Sequence, residues 1–157
     1  MPPESPIKLK VEKAFCPDMT IAITVRDLMD KDVVSIDASD NVAEGVALMV
    51  SSKVWSLLVT GEGRPQGVIT ERDILRRCIN KGLAPRDVKV GAIMSSPLVT
   101  IGPDATVREA MSLMVEKGVR RLYVVVGGEV VGRLTQTRLF QSNFDLMLSL
   151  SGLTGAL

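Results

Sequence analysis

Hydrophobic and polar positions along the chain follow a pattern that occurs twice. In its first occurrence a short apolar run at 33–36 is followed by apolar residues at helical spacing over 42–50. An apolar stretch at 54–60, a turn rich in glycine and a short apolar run at 67–69 come next, and a second helical stretch follows over 70–77. β-Branched runs predict strands, and one-face spacing predicts helices. The predicted element order is β-α-β-β-α.

A shift of 65 positions aligns the sequence with itself without a gap. Residues 25–73 lie over residues 90–138, and 15 of these 49 positions are identical. Unrelated segments of this composition would share about three or four. We therefore predict two copies of one unit, residues 24–80 and 88–140. The linker at 81–87 is too short for the copies to act independently, so we expect them to pack face to face.

The two ends of the chain carry different patterns. Ile7, Leu9 and Val11 alternate with charged residues, so residues 1–23 predict an extension containing one strand. Residues 141–157 are mostly apolar and predict a helical tail. This tail is either packing material for the core or a surface for an oligomer.

Composition narrows the function classes. The chain has 157 residues, of which 46% are hydrophobic and 24% charged, and the formal net charge is +1. This balance indicates one globular unit and disfavours nucleic acid or a membrane surface as a partner. Because the sequence contains no histidine, it excludes histidine-based triads and imidazole zinc sites. Two distant cysteines predict reduced thiols, and the absence of signal-peptide and membrane-span patterns predicts a cytoplasmic protein.

Three features together resemble the CBS domain family. They are the β-α-β-β-α repeat, the Asp-Leu-Met and Ala-Ile-Met openings at 27–29 and 92–94, and the segment Gly-Val-Ile-Thr-Glu-Arg-Asp at 67–73. The pair resembles a Bateman module over about residues 24–140. The resemblance implies an α/β fold of the α+β type, in which two repeats pack through their sheets with pseudo-two-fold symmetry. It also implies a cleft that binds an adenosine derivative, and a homodimer.

The resemblance assigns ligand contacts to the end of the third strand in the first copy. There Asp73 would accept hydrogen bonds from the ribose hydroxyls, Thr70 would contact the phosphate, and Arg72 would reach either a phosphate or water. A carboxylate suits a diol, and a hydroxyl at a helix N-terminus suits a phosphate. Thr70 and Asp73 are also spaced as a capping box, a role that is compatible with ligand contact.

The second copy departs from this pattern. It keeps Thr135 but has Arg138 in place of the acidic residue, and arginine offers no acceptor to a ribose diol. The positions that would face this second pocket from the first copy are Trp55 and Ser56. We therefore expect this pocket to be vacant or to serve something other than a nucleoside, with Trp55 packing into the space.

The second strand of the second copy completes the predicted site. The resemblance places Arg120 and Arg121 opposite Asp73, facing the phosphates, although both could equally be solvated surface charges. A slot for adenine would be lined by apolar residues that could also be plain core: Val68, Met94, Leu98, Val99 and Val119. The prediction is one working pocket per chain.

Three functions compete at this stage. The leading hypothesis is a regulatory sensor of AMP, ADP or ATP, with AMP favoured, that acts on an unidentified protein. The alternative is a ligand-free dimerisation module that regulates its partner by assembly. An enzyme acting on nucleotides is disfavoured, because the sequence has no histidine, no P-loop motif and no clustered carboxylates. We predict no catalytic residue and no metal ligand.

Overall fold

A computed structural model of the chain describes residues 23–150, except for the side chains of residues 144 and 146–150. The predicted strand near Ile7 and the end of the apolar tail lie outside the described residues. The described part contains two three-stranded sheets with helices, so the predicted fold class is confirmed. Each sheet belongs to one repeat.

The first repeat contains three helices, three strands and one 3-10 turn. In chain order its elements are α1 (Val25–Leu28), β1 (Ser35–Asp37), α2 (Val42–Ser51), β2 (Ser56–Gly61), β3 (Arg64–Thr70), α3 (Glu71–Arg77) and the 3-10 turn Ile79–Lys81. β1 runs parallel to β2, and β2 runs antiparallel to β3. The predicted order β-α-β-β-α is therefore confirmed for β1 to α3, and the short helix α1, which precedes it, was not predicted.

The second repeat has the same arrangement. Its elements are α4 (Val90–Ile93), β4 (Thr100–Ile101), α5 (Val107–Lys117), β5 (Arg121–Val126), β6 (Glu129–Thr135) and α6 (Gln136–Leu150). The strand order is β4-β5-β6, with a parallel pair followed by an antiparallel pair. Helix α6 continues through Leu150, into the apolar tail.

Local sequence explains where the main helices begin. At the start of α2, Asn41 accepts a hydrogen bond from the Glu44 amide at 3.0 Å, and the Glu44 carboxylate accepts one from the Asn41 amide at 2.9 Å. Thr106 with Glu109 and Thr70 with Asp73 form the same capping box at α5 and α3. Such boxes satisfy amides that the first turn of a helix leaves without partners.

The predicted turn between the second and third strands was too long. Gly61 already pairs with Arg64, so the turn contains only Glu62 and Gly63. Both have positive φ angles, 53° and 73°, which is the backbone geometry that matches a two-residue hairpin to the twist of its strands. Pro65 fits within β3 because this strand lies at the edge of its sheet.

The opening helix of each repeat packs into the hydrophobic core of the other repeat. Val90 and Ile93 of α4 are buried in the core of the first repeat, although they begin the second repeat in sequence. Val25 and Leu28 of α1 are buried in the core of the second repeat. Neither repeat therefore completes its core from its own sequence.

Backbone pairs at the exchange follow the 65-residue offset. Thr24 bridges Thr106, and the equivalent pair in the other half is Lys89 with Asn41. In the same way Val68 bridges Ser95, and Arg133 bridges Asp30. These matching pairs follow the predicted pseudo-two-fold symmetry. Strands β3 and β6, which are equivalent under this symmetry, contact each other.

The free Cys78 is fully buried in the first core, whereas Cys16 lies outside the described residues. Among residues 23–150, no helix is both long enough and apolar enough to cross a bilayer.

The exchanged packing predicts that a residue of the second repeat stabilises the core of the first. Ile93→Ala should lower the free energy of unfolding by about 2–5 kcal/mol, because it removes a 5% exposed side chain from that core. Val126→Ala is the control: its side chain is 50% exposed, and we expect a change of at most about 1 kcal/mol. Urea denaturation measures both, and equal stability of the two variants would contradict the exchange.

Candidate functional site

A cleft of ≈240 Å³ opens where the end of β3 meets the second repeat. Residues of both repeats line it: Val68, Thr70, Glu71, Arg72, Asp73, Ser95, Pro97, Leu98, Val99, Gly118, Val119, Arg120, Arg121 and Tyr123. Asp73 of the first repeat and Arg120 and Arg121 of the second therefore share one cleft. The structure thus brings together nine of the ten residues predicted for the site.

Met94 is the predicted site residue that the cleft does not include. It packs, partly buried, against the core of the first repeat. The reason is its position as the C-cap residue of α4, the helix that is exchanged into that core. The expected contribution of Met94 to an adenine slot is therefore corrected to a contribution to the core.

Asp73 is the most constrained polar residue of the cleft. It is only 9% exposed, and its Oδ2 accepts hydrogen bonds from the amide and the hydroxyl of Thr70 at 3.0 and 2.8 Å. Its Oδ1 accepts one from the Ser95 hydroxyl at 3.0 Å and lies 3.5 Å from Nη1 of Arg77. The capping role expected for Asp73 is therefore present, and Oδ1 is the oxygen that faces the second repeat.

The contact between Asp73 and Ser95 depends on a glycine in β3. Val68 and Ser95 exchange two backbone hydrogen bonds of 3.0 and 2.8 Å beside it. A Cβ atom on Gly67 would lie 2.5 Å from the carbonyl oxygen of Ser95, a separation that side-chain carbons do not reach. Glycine at this position therefore allows the segment after α4 to approach the strand closely.

The second repeat contributes cations and a phenol. Arg120 is exposed, whereas Arg121 is partly buried and its Nη1 has no hydrogen-bond partner among the described residues. Tyr123 is only 1% exposed, and its hydroxyl lies near the Ser56 hydroxyl of the first repeat. Buried polar atoms normally have partners, so Nη1 of Arg121 is available to a polar ligand that reaches it.

Burial also affects the ionisation of Tyr123. Desolvation raises the pKa of the phenol above its ordinary value of 10.0, while the nearby Ser56 hydroxyl and the charges of Arg121 and Arg133 act in the opposite direction. Tyr123 is therefore a neutral hydroxyl at physiological pH, and it can donate a hydrogen bond as well as accept one.

Five lining residues were not predicted, and for one of them the sequence contained a usable signal. Tyr123 follows Arg121 by two positions on β5, and residues two apart in a strand lie on the same face. Glu71, Ser95, Pro97 and Gly118 carry no comparable signal. Ser95 in particular reaches Asp73 only because α4 crosses to the other repeat.

A second pocket of ≈400 Å³ occupies the pseudo-symmetric position. It is lined by Met29, Asp30, Lys31, Arg133, Thr135, Thr137, Arg138 and Gln141. Thr135 and Arg138 lie there as expected, but Trp55 does not. Trp55 is 73% exposed and lines a separate apolar groove on the first repeat, so the expectation that it packs into the second pocket was wrong.

The first cleft is equipped for binding. It combines one buried carboxylate, guanidinium groups, a phenol and an apolar wall, a set that suits a flat ring joined to a polar, anionic group. Among residues 23–150 no cluster of three potential metal ligands occurs.

Comparison with known proteins gives consistent matches. Residues 25–80 and 90–143 each match the profile of the CBS domain family. The uncharacterised protein MK0525 of Methanopyrus kandleri is 32% identical over 122 residues, which cover 76% of this chain and 62% of that protein. The mitochondrial CBS domain-containing protein CBSX3 of Arabidopsis thaliana is 33% identical over 124 residues, which cover 71% of this chain and 60% of that protein.

The chain thus spans less than two thirds of the length of these two relatives. A solved structure of a protein with CBS domains from Burkholderia ambifaria superimposes with a TM-score of 0.75 at 25% sequence identity. The superposition covers 78% of this chain and 95% of that one.

The environment of Tyr123 predicts an alkaline titration that can be followed without interference, because the sequence contains one tyrosine. We expect the ultraviolet absorbance of its phenolate to appear at a higher pH in the folded protein than in urea. The unfolded chain then ionises first, so the stability that Tyr123 contributes is present below about pH 10 and is lost as the pH rises through the folded pKa.

Tyr123→Phe is the control for this titration. It removes the absorbance change and should remove that part of the pH dependence of unfolding. Equal ionisation midpoints in folded and urea-unfolded protein would contradict the burial of the phenol in solution.

Proposed function

The chain belongs to the CBS domain family as a tandem pair, a generally regulatory kind of module, and on this premise we propose that it binds one adenine nucleotide, preferably AMP, in the cleft between its repeats. In this proposal the chain is a cytoplasmic sensor and not an enzyme. The ligand would change how the module meets a regulated protein.

The observation that carries the proposal is the convergence of two repeats on one cleft. Asp73 of the first repeat shares the cleft with Arg121 and Tyr123 of the second, and Nη1 of Arg121 is buried without a partner among the described residues. A ligand with a diol at one end and an anion at the other would satisfy these groups together.

The contacts of each residue refine the roles expected from the sequence. The Thr70 hydroxyl already donates to Asp73 and accepts from the Asp73 amide, so it is less available to a phosphate than expected. Arg120 and Arg121 would carry most of the phosphate recognition, with Arg72 at the mouth. A ribose hydroxyl would donate a hydrogen bond to Oδ1 of Asp73 and take the place that the Ser95 hydroxyl now holds there.

The apolar wall and the size of the cleft support a small nucleotide. Val68, Leu98, Val99 and Val119 provide a surface on which adenine could lie. The volume of ≈240 Å³ is close to the lower limit of about 300 Å³ for small-molecule sites. This favours the monophosphate over ADP or ATP. A ligand held by both repeats would shift the balance between two arrangements of the module, provided that it binds one of them better.

Titration calorimetry with AMP tests the site. Arg121→Gln and Asp73→Asn should each weaken binding by about 10- to 150-fold, the loss expected when a hydrogen bond to a charged group costs about 1.5–3 kcal/mol. Asp73→Asn is preferable to Asp73→Ala because it preserves the side-chain shape at the helix cap. Arg138→Gln, in the other pocket, is the matched control and should leave AMP affinity unchanged.

Two results would exclude the proposal. One is the absence of heat with AMP, ADP and ATP at millimolar concentration. The other is a loss of AMP affinity in the Arg138→Gln control equal to that in Arg121→Gln. Such a result would mean that the total positive charge of the protein, and not the cleft, determines binding.

A second candidate function, assembly without a ligand, is favoured by one surface feature. We define the helical face as the exposed apolar residues of α2 and α3, one that follows each of these helices, and the equivalents of the helical ones in the second repeat: Val46, Val50, Trp55, Leu75, Ile79, Met111, Val115 and Phe140. A groove of ≈650 Å³ runs along its first half. Apolar surface of this extent marks an interaction site, and a second copy of the chain is the occupant that the resemblance implies.

Sedimentation velocity tests this homodimer. Trp55→Glu should weaken association by at least about 30-fold, as expected for removal of an interface residue worth about 2 kcal/mol. Val126→Glu is the control, because Val126 is 50% exposed but lies at the β5–β6 hairpin and not on the helical face. A monomeric parent protein, or equal effects of the two variants, would contradict the dimer.

A further inference from the structure

The second pocket differs from the first in a way that points to a ligand of another class. We propose that the pocket formed by Asp30, Lys31, Arg133, Thr135 and Arg138 binds a small phosphate anion that carries no nucleoside, such as inorganic pyrophosphate. This inference is independent of nucleotide binding in the first cleft.

Among its lining residues, the second pocket has no carboxylate at the position that would receive a ribose diol. Arg138 stands where the first cleft has Asp73, and a guanidinium only donates. The remaining carboxylate, Asp30, is held in an ion pair with Arg133. Its Oδ2 accepts a hydrogen bond from Nη2 of Arg133 at 2.9 Å, and its Oδ1 accepts one from the Asp32 amide at 3.1 Å.

The wall that would hold adenine is also replaced. Arg133 is the pseudo-symmetric equivalent of Val68, and Asp30 is the equivalent of Ser95, as their matching backbone bridges show. The Arg133 side chain is 12% exposed and lies in an ion pair with Asp30. A charged pair therefore takes the place of the apolar surface, so a purine would have to desolvate it.

The same substitutions make the pocket attractive to an anion. Lys31, Arg133 and Arg138 carry three positive charges against the single negative charge of Asp30. Within the described residues, no carboxylate lies at ion-pair distance from Lys31 or Arg138. Nε of Arg133 is buried and, in the same part of the chain, has no hydrogen-bond partner.

A hydroxyl completes the donor set. Thr135 accepts a hydrogen bond from the Arg138 amide at 3.2 Å. In the first cleft the proton of the equivalent Thr70 hydroxyl is given to Asp73, but in the second pocket position 138 is an arginine. The Thr135 proton can therefore be donated to an oxyanion. Arginine forks, a lysine and a threonine hydroxyl together fit the several oxygens of a phosphate group.

Calorimetry with inorganic pyrophosphate at constant ionic strength tests this site. The parent for the test is the Arg120→Gln/Arg121→Gln variant, in which the arginines of the first cleft are removed. We expect this variant to bind about one pyrophosphate per chain. Adding Arg138→Gln should weaken that binding at least tenfold. Arg108→Gln removes the same charge from an exposed position on α5 and should have little effect.

The possible results separate this inference from the proposed nucleotide site. Pyrophosphate binding that survives loss of the first-cleft arginines and depends on Arg138 supports the second site, even if AMP does not bind at all. No binding to the parent variant overturns it, as does an equal effect of Arg108→Gln and Arg138→Gln. AMP binding to the unmodified chain at two sites, one of them sensitive to Arg138→Gln, also overturns it.

Discussion

The exchange of opening helices is the constraint on which the rest of the structure depends. Val90 and Ile93 close the core of the repeat that precedes them, and Val25 and Leu28 close the core of the repeat that follows. Burial of such side chains contributes roughly 1.5–3 kcal/mol each, so separating the repeats would expose both cores at once. The two repeats are therefore one folding unit, and the cleft between them is held by core packing on both sides.

The same exchange determines the chemistry of each pocket. The residue that follows the exchanged helix, Ser95 in one half and Asp30 in the other, is fixed against the third strand of the opposite repeat by two backbone hydrogen bonds. The residue that its side chain contacts then differs between the two halves. Ser95 orients Asp73, whereas Asp30 pairs with Arg133. One backbone geometry thus yields a pocket with an acidic residue and an apolar wall, and another that is predominantly cationic.

The sequence predicted the repeat, its strands and main helices, and most of the cleft, because these follow from local periodicity and from the 65-residue offset. Asp73, Arg120 and Arg121 were placed together correctly. Met94 and Trp55 were misplaced for two different physical reasons. Met94 caps a helix that crosses into the other core, and Trp55 lies on the helical face and not toward the sheet. Neither choice has a periodic signal in the sequence.

Asp73 combines two roles whose demands differ. As a cap it must keep Oδ2 on Thr70, and that oxygen is already saturated by two hydrogen bonds. Oδ1 instead accepts a hydrogen bond from the Ser95 hydroxyl of the second repeat. A ligand hydroxyl can replace this donor at little cost in free energy, because one hydroxyl is exchanged for another. A ligand can therefore engage Asp73 without unfolding the start of α3. Since Ser95 belongs to the segment after the exchanged helix, a ligand that displaced its hydroxyl, as the proposed function requires, would act at the junction between the repeats.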